Sequence, residues 1–497
     1  MNFIVFLICI FLSFSAVSSA SVENEGILDS LIQNKTHLDP VYMQLSSWER
    51  NKTFRGGVGT KNRRATYSFK NKNKLNNYGV GKKAVKLQFE EELFRYLDDP
   101  DFSCRMPALN AFFNHNTKLN KRCSNDNLPY ILSSDRSKLR FLDKSRVYAI
   151  HYFLGAQGDA MMSRWGHTML RIVVCSPERK EVSEACMEDT SHHLFLSFRA
   201  DVTDVNINTF KGLTGGYKSR VFFHTFNENI NEYLVSELRD LYSLPLNLNK
   251  LERELVLGKL FQDYWTYEND YEFLNRNCAT EMADVLSVVL LFRGQDKIDA
   301  ITPTGLYDAL INSGLGDESK IQQKNALKLG YVIKSRRSWY SNTENYLKEQ
   351  FSLNLNVETL IAQTRPEKRI ELYNKLLSGD KETDNLLRAH FIILEKRAQF
   401  ETTLRIKNFI VNKTLLNRND NKDIQEKYEN ARNLGGGFNQ IDNIAYGIPT
   451  IAEWNNFNGF SLDGVNLLDF LDDSYKEMFK DAMESHQRNL DTLFNIE

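Results

Sequence analysis

Cys278 is the residue with most chemistry to offer. It follows Asn275-Arg276-Asn277, a polar turn-like stretch, and precedes the apolar run Met282–Phe292. Asn277 suits a helix N-cap, because its side-chain oxygen accepts from the first unpaired amides of a helix. That cap puts Cys278 in the first turn, where the positive end of the helix dipole favours a thiolate. The free amides of the same turn offer donors to an oxyanion. A small apolar residue packed under the helix is the plain alternative, since cysteine is often buried. Counting singles Cys278 out. Of the six cysteines, Cys9 lies in an apolar leader, while Cys104/Cys123 and Cys175/Cys186 are close enough in sequence to close two short loops. Cys278 is left over, and an odd thiol in an exported protein is a liability unless it has a task.

A thiol nucleophile needs a base. His167 follows Trp165-Gly166 on a strand expected over Trp165–Cys175. Side chains alternate along a strand, so His167, Met169 and Arg171 share one face and Thr168, Leu170, Ile172 and Val174 the apolar other. A further strand, His193–Val202, carries Leu194, Leu196 and Phe198. If these share the apolar face, parity places Ser197, Arg199 and Asp201 beside His167. Ser197 or Asp201 is then the candidate third member that holds the imidazole. The bland readings are a structural histidine bonded to backbone, and solvated edge positions for Ser197 and Asp201.

Other chemistries fare worse. His167, His192, His193 and Cys278 lack HxxxH or CxxC spacing, and adjacent histidines on a strand point opposite ways, so no metal is expected. Gly212, Gly215 and Gly216 have no Lys-Ser/Thr after them, and no GxGxxG follows a strand, which argues against a nucleotide. No cofactor is expected. Net charge is −1 over 497 residues, which disfavours a nucleic-acid partner.

The elements that must position these residues follow from periodicity. Val147–Leu154 reads as a buried strand, and polar Ser176–His192 as a connection pinned by Cys175 and Cys186. Ile230–Tyr242 reads as a helix with Tyr233, Leu234, Leu238 and Leu241 on one stripe, and Asn249–Tyr267 as another capped by Asn247 or Asn249. Asp240 is expected to pair with Arg239 or Arg220 as scaffold. Before residue 146 the chain is polar, with a helix around Leu87–Leu97 and a Cys104–Cys123 staple. Beyond Pro303 helical periodicity dominates, at Leu353–Leu360, Arg369–Leu377, Asn385–Arg405 and Leu467–Phe494. The leader, Phe3–Phe14 followed by Ser18-Ser19-Ala20, reads as a secretory signal cut after Ala20. No later segment is apolar enough to span a bilayer.

Four blocks in order carry a family resemblance. They are Ser163-Arg164-Trp165-Gly166-His167-Thr168-Met169-Leu170-Arg171, Gly212-Leu213-Thr214-Gly215-Gly216-Tyr217, Arg239-Asp240-Leu241-Tyr242-Ser243-Leu244-Pro245-Leu246-Asn247-Leu248 and Asn275-Arg276-Asn277-Cys278-Ala279-Thr280. The stretch from His151 to about Val289 resembles the DUF4105, or Lnb N-terminal periplasmic domain, family. That family is similar to permuted NlpC/P60 and papain-like enzymes, in which the histidine strand precedes the cysteine helix. The resemblance implies a thiol hydrolase or acyltransferase fold and names no substrate. A departure is the insertion carrying Cys175 and Cys186.

The expected fold class is therefore α+β. A signal peptide (1–20) and a polar, partly helical region (21–145) precede a permuted papain-like, NlpC/P60-type domain with an antiparallel sheet and packed helices (146–310). A helical C-terminal region (311–497) follows. The expected function is an exported, periplasmic or secreted thiol hydrolase, an amidase/peptidase or acyl-ester hydrolase, acting on a cell-envelope peptide or acyl substrate. Cys278 and His167 would be catalytic, with Asn277 in support. The alternative is an inactive hydrolase-like binding or assembly module, its C-terminal helices facing a protein partner.

Overall fold

The computed structural model describes residues 26–27, 29–46, 82–123, 127–133, 135–158, 165–201, 212, 215–267, 269–354, 356–377, 380–417, 447–449 and 473–494. The expected signal peptide and its cleavage point lie outside them. The architecture is α+β, with a mixed sheet and many helices.

Among the described residues the sheet has nine strands. They are β1 (Asn127–Leu132), β2 (Asp135–Asp143), β3 (Val147–Gly155), β4 (His167–Val174), β5 (Leu194–Asp201), β6 (Tyr217–Thr225), β7 (Leu241–Pro245), β8 (Asn269–Tyr271) and β9 (Val332–Ile333). Their order is β2-β1-β6-β5-β4-β3-β7-β9, with β8 also on β6. The sheet is antiparallel, as expected, except that β1 meets β6 in parallel at Leu132 and Phe223. It takes strands from both sides of residues 146–310, since β1 and β2 precede that span and β9 follows it.

One sheet face is buried under α4 (Lys250–Thr266) and α5 (Cys278–Phe292), numbered after α1 (Pro40–Leu45), α2 (Lys82–Asp98) and α3 (Pro107–Thr117). Ile150, Tyr152, Leu170, Ile172, Leu196, Phe198 and Phe223 form one core with Leu257, Phe261, Met282 and Leu286. Each fully buried aliphatic or aromatic side chain contributes about 1.5–3 kcal/mol, so this layer fixes the sheet against α5. Helix α5 is apolar almost all round, as a doubly covered helix must be. Its other side, at Val288, joins a second core with Tyr42, Phe89, Phe112 and Phe113 of α1 to α3. Asn249 caps α4 through a reciprocal bond with Glu252, one of the two expected caps.

The opposite sheet face is also covered. Phe153, Met169 and Phe195 pack with Tyr233, Leu234 and Leu241. The expected Ile230–Tyr242 helix is only partly present. A short helix, Phe226–Asn229, opens into a π-helix over Ile230–Ser236, and Leu238 adopts the left-handed region at φ 51°. Leu241 and Tyr242 are instead strand residues of β7, paired with Gly155 and Leu154. Pairing with β3 overrides the helical spacing of the sequence.

Helices α6 (Pro303–Asn312), α7 (Arg337–Phe351), α8 (Val357–Gln363), α9 (Pro366–Leu376), α10 (Lys381–Asn417) and α11 (Asp473–Phe494) complete the described chain. The last five share a core that includes Leu347, Tyr373, Phe391, Leu394 and Leu493. Buried Glu395 ties three of them together, accepting from Arg369 Nη2 at 2.9 Å and meeting His486 Nδ1 at 2.7 Å. Among the described residues no helix is long and apolar enough to cross a membrane.

Candidate active site

Asn277 caps α5 as its sequence position suggests. Its Oδ1 accepts from Ala279 N at 2.8 Å and Thr280 N at 3.3 Å, and Thr280 Oγ1 accepts from Asn277 N at 3.0 Å. Its Nδ2 donates to the carbonyls of Phe273 (3.1 Å) and Ile301 (2.9 Å). One side chain thus fixes the helix start, the turn before it and the segment before α6.

Cys278 opens α5 as a free thiol, 5% exposed. Burial pushes its pKa up. Hydrogen bonding from the Thr168 amide, the Tyr271 hydroxyl and the Ala279 amide, with the charge of Arg199, pulls it down by less. The thiolate expected from the helix dipole is therefore not the resting state, because desolvation outweighs the donors. Tyr271 also accepts from the Cys278 amide at 3.4 Å, so its hydroxyl lies beside both sulfur and amide.

Helix α5 packs across β4 and β5, with Met282 and Leu286 in one core with Leu170, Ile172, Leu196 and Phe198. Strands β4 and β5 are paired only from Leu170 to Ile172. The β3–β4 ladder runs on to Gly155↔His167, and the β5–β6 ladder to Asp201↔Lys218. At the His167 end β4 and β5 therefore part. Cys278 opens the helix that packs on these two strands.

His167 lies on the face away from α5. Its ring lies nearly parallel to that of Tyr233, with centroids 6.0 Å apart and planes 14° apart. Its Nε2 is buried without a hydrogen-bond partner, so no such bond joins that nitrogen to the Cys278 sulfur. Burial lowers its pKa well below the ordinary histidine value, and the charges of Arg199, Arg239 and His224 add to this. The imidazole rests neutral, and the same burial and charges oppose its protonation. The Cys278 thiol rests neutral as well.

The two candidate third members are engaged elsewhere. Ser197 Oγ accepts from Arg199 Nε at 2.9 Å, and Asp201 pairs with Arg220 at 3.1 Å. Neither is a solvated edge residue, for Ser197 is fully buried and Asp201 7% exposed. Arg199 runs on to Glu232, 3.1 Å from each carboxylate oxygen, and to the Tyr233 hydroxyl at 3.1 Å. Asp240 pairs with Lys334 at 2.8 Å and accepts from Ser335 N, while Arg239 pairs with Glu237. The expected pairing of Asp240 with Arg239 or Arg220 is thus replaced by a partner from after residue 310, which β9 brings alongside β7.

Both expected disulfides are present, Cys104–Cys123 and Cys175–Cys186. The second closes over a buried cluster. Arg171 donates to His193 Nδ1 (2.9 Å), Ser243 Oγ (3.2 Å) and the Gly330 carbonyl (2.9 Å). His193 Nε2 lies 2.8 Å from the Cys186 carbonyl, and His151 Nδ1 2.9 Å from Ser243. Burial and the charge of Arg171 hold both imidazoles neutral, His193 with a pKa of about 3. His193 is thus committed to Arg171, and His192 is exposed on the loop before β5. Among the described residues no group of three or more His, Cys, Asp or Glu side chains is arranged to hold a metal.

Two site neighbours had no signal in the sequence. Tyr271 sits on a three-residue strand, too short to show alternation, and is placed by pairing with Tyr217. The sequence spacing shows Tyr233 only as one member of an apolar helix stripe.

Residues 134–313 match the family model described as the Lnb N-terminal periplasmic domain. No curated protein and no solved structure matches the chain.

Proposed function

We propose that this chain is an exported thiol hydrolase, of the amidase/peptidase or acyl-ester class, on a permuted papain-like, NlpC/P60-type scaffold. One observation carries the reading: a free cysteine opens a capped helix that packs on β4, the strand that His167 begins, near where β4 and β5 part. The order of His167 before Cys278 fits the permuted arrangement. The match to a periplasmic domain family supports export, as do two disulfides, which persist in oxidising compartments.

The chemistry follows from the neutral pair. Sulfur attacks the substrate carbonyl carbon as its proton passes to His167. The carbonyl oxygen takes up the electron pair and is held by the Cys278 amide and the Tyr271 hydroxyl. Collapse expels the amine or alcohol, which leaves with the proton from His167. Water then attacks the thioester, with His167 taking its proton, and the acid and free thiol are restored. Hydrogen bonds of this kind are often long in free enzymes and tighten when substrate is bound. We assign the substrate to the cell envelope, as a peptide or acyl group.

Ester and peptide-amide probes test this. Turnover by the wild type that is abolished in Cys278→Ala, with folding intact, supports it. A second reading is a binding or assembly module that has lost activity. The absence of a hydrogen bond from His167 Nε2 to the sulfur favours that reading. It predicts unchanged probe hydrolysis in Cys278→Ala.

A further inference from the structure

Ser197 and Asp201 bond to Arg199 and Arg220 and not to His167, whose ring instead faces an aromatic one. The Tyr233 ring lies 14° from parallel with the His167 ring, within the range of offset stacking. Tyr233 is 2% exposed and is itself fixed from two sides. Arg199 Nη2 donates to its hydroxyl at 3.1 Å, and the Arg239 guanidinium lies 5.2 Å from its ring centroid. Arg239 Nη2 also donates to the Gly155 carbonyl at 3.0 Å, and Gly155 is the residue paired with His167. Gly155 leaves the space for this. A Cβ there would come within 3.2 Å of Arg239 Nη2 and 3.4 Å of Tyr233 Cδ1.

The backbone that delivers Tyr233 is unusual. It belongs to a seven-residue π-helix, closed by Glu237 N bonding to Glu232 O at 3.0 Å, and Leu238 follows at positive φ. Wide turns of this kind are rare and recur at functional sites, where local strain serves a geometry. Here the widened turn brings Glu232 and Tyr233 to Arg199 together.

We propose that Tyr233 is the positioning residue for His167, setting the plane of the imidazole by stacking in place of a hydrogen-bonding third triad member. The inference rests on the hydrolase reading for its purpose. Tyr233 touches no reacting atom and acts through His167.

Two variants separate the ring from the hydroxyl. Tyr233→Phe keeps the ring and loses the Arg199 contact, and Tyr233→Leu removes the ring. The readout is the Hε1 resonance of His167 in ¹³C-histidine-labelled protein, assigned by its loss in His167→Gln. It is read with the acylation rate of Cys278 by p-nitrophenyl acetate, followed by intact mass. The Phe variant should keep the ring-current shift of His167 and acylate close to the wild-type rate. The Leu variant should lose that shift and acylate roughly 100-fold more slowly, as expected for a misplaced base. A Leu variant with unchanged shift and rate overturns the proposal, and so does a Phe variant as impaired as Leu. Should the Leu variant fail to fold, Gly155→Ala takes its place. It pushes on Tyr233 and Arg239, and must move the His167 resonance for the proposal to stand. If the wild type itself forms no acyl-Cys278, the hydrolase reading fails, while the resonance still decides whether Tyr233 fixes the ring.

Discussion

Asn277 offers the sharpest energetic test of how the site is assembled. It is 8% exposed and makes four bonds, two that cap α5 and two from Nδ2 to the Phe273 and Ile301 carbonyls. Loss of the cap costs about 1 kcal/mol. Each lost bond to a carbonyl adds about 1 kcal/mol net. Asn277→Ala should therefore destabilise the start of α5 by about 3 kcal/mol, which multiplies its opening equilibrium roughly 100-fold. Asn277→Asp keeps the capping oxygen and loses only the Nδ2 donors, so about 2 kcal/mol is lost, or roughly 30-fold. The Glu281 amide bonds to the Asn277 carbonyl at 3.1 Å, so its native-state hydrogen exchange reports that opening directly. The expected order is Ala fastest, Asp next and wild type slowest. If both variants exchanged there within about threefold of wild type, the helix start would not depend on Asn277 and the argument would be wrong.

Further outcomes follow from burial and charge. His151, His167 and His193 are held neutral, so the unfolded chain binds more protons than the folded one below the ordinary histidine pKa. Their folded values are depressed, and stability is therefore lost as pH falls. Each contributes a loss of about 1 kcal/mol between pH 6 and pH 5. Glu92, raised to about 7 by burial, binds its proton more readily when folded and offsets about one of the three. Urea unfolding should show a net loss of about 2 kcal/mol over that interval, and His193→Gln should flatten it. Gly166 sits at φ 85°, and a Cβ there would lie 2.9 Å from the Gly155 carbonyl oxygen. Gly166→Ala should cost about 1–3 kcal/mol in urea melts. Replacing Cys175 and Cys186 together by Ser should lower stability by about 2–4 kcal/mol and shift the His193 resonance, since His193 bonds to the Cys186 carbonyl.

Much of the local structure around the candidate site was legible because its signals are local. A polar turn before an apolar run marked Asn277 and Cys278, and short loops marked both disulfides. Alternation assigned faces to β4 and β5, and the cores on either side of the sheet keep those faces. What stayed hidden depends on distant pairing or on desolvation. The helical spacing of Ile230–Tyr242 could not show that β3 would claim Leu241 and Tyr242 as strand. Parity put Ser197 and Asp201 on the correct face but could not say that Arg199 and Arg220 would occupy them. The helix dipole argued for a thiolate at Cys278, whereas burial, the plain alternative for a cysteine, decides the other way.

The central claim is that His167 takes the proton of Cys278 when sulfur attacks a carbonyl. Its most direct test is single-turnover acylation of Cys278 across pH, read by intact mass in wild type and His167→Gln. The account predicts acyl-Cys278 in the wild type near neutral pH, with the variant acylating only in alkali, where the raised thiol ionises unaided. Superimposable profiles for the two proteins would contradict it.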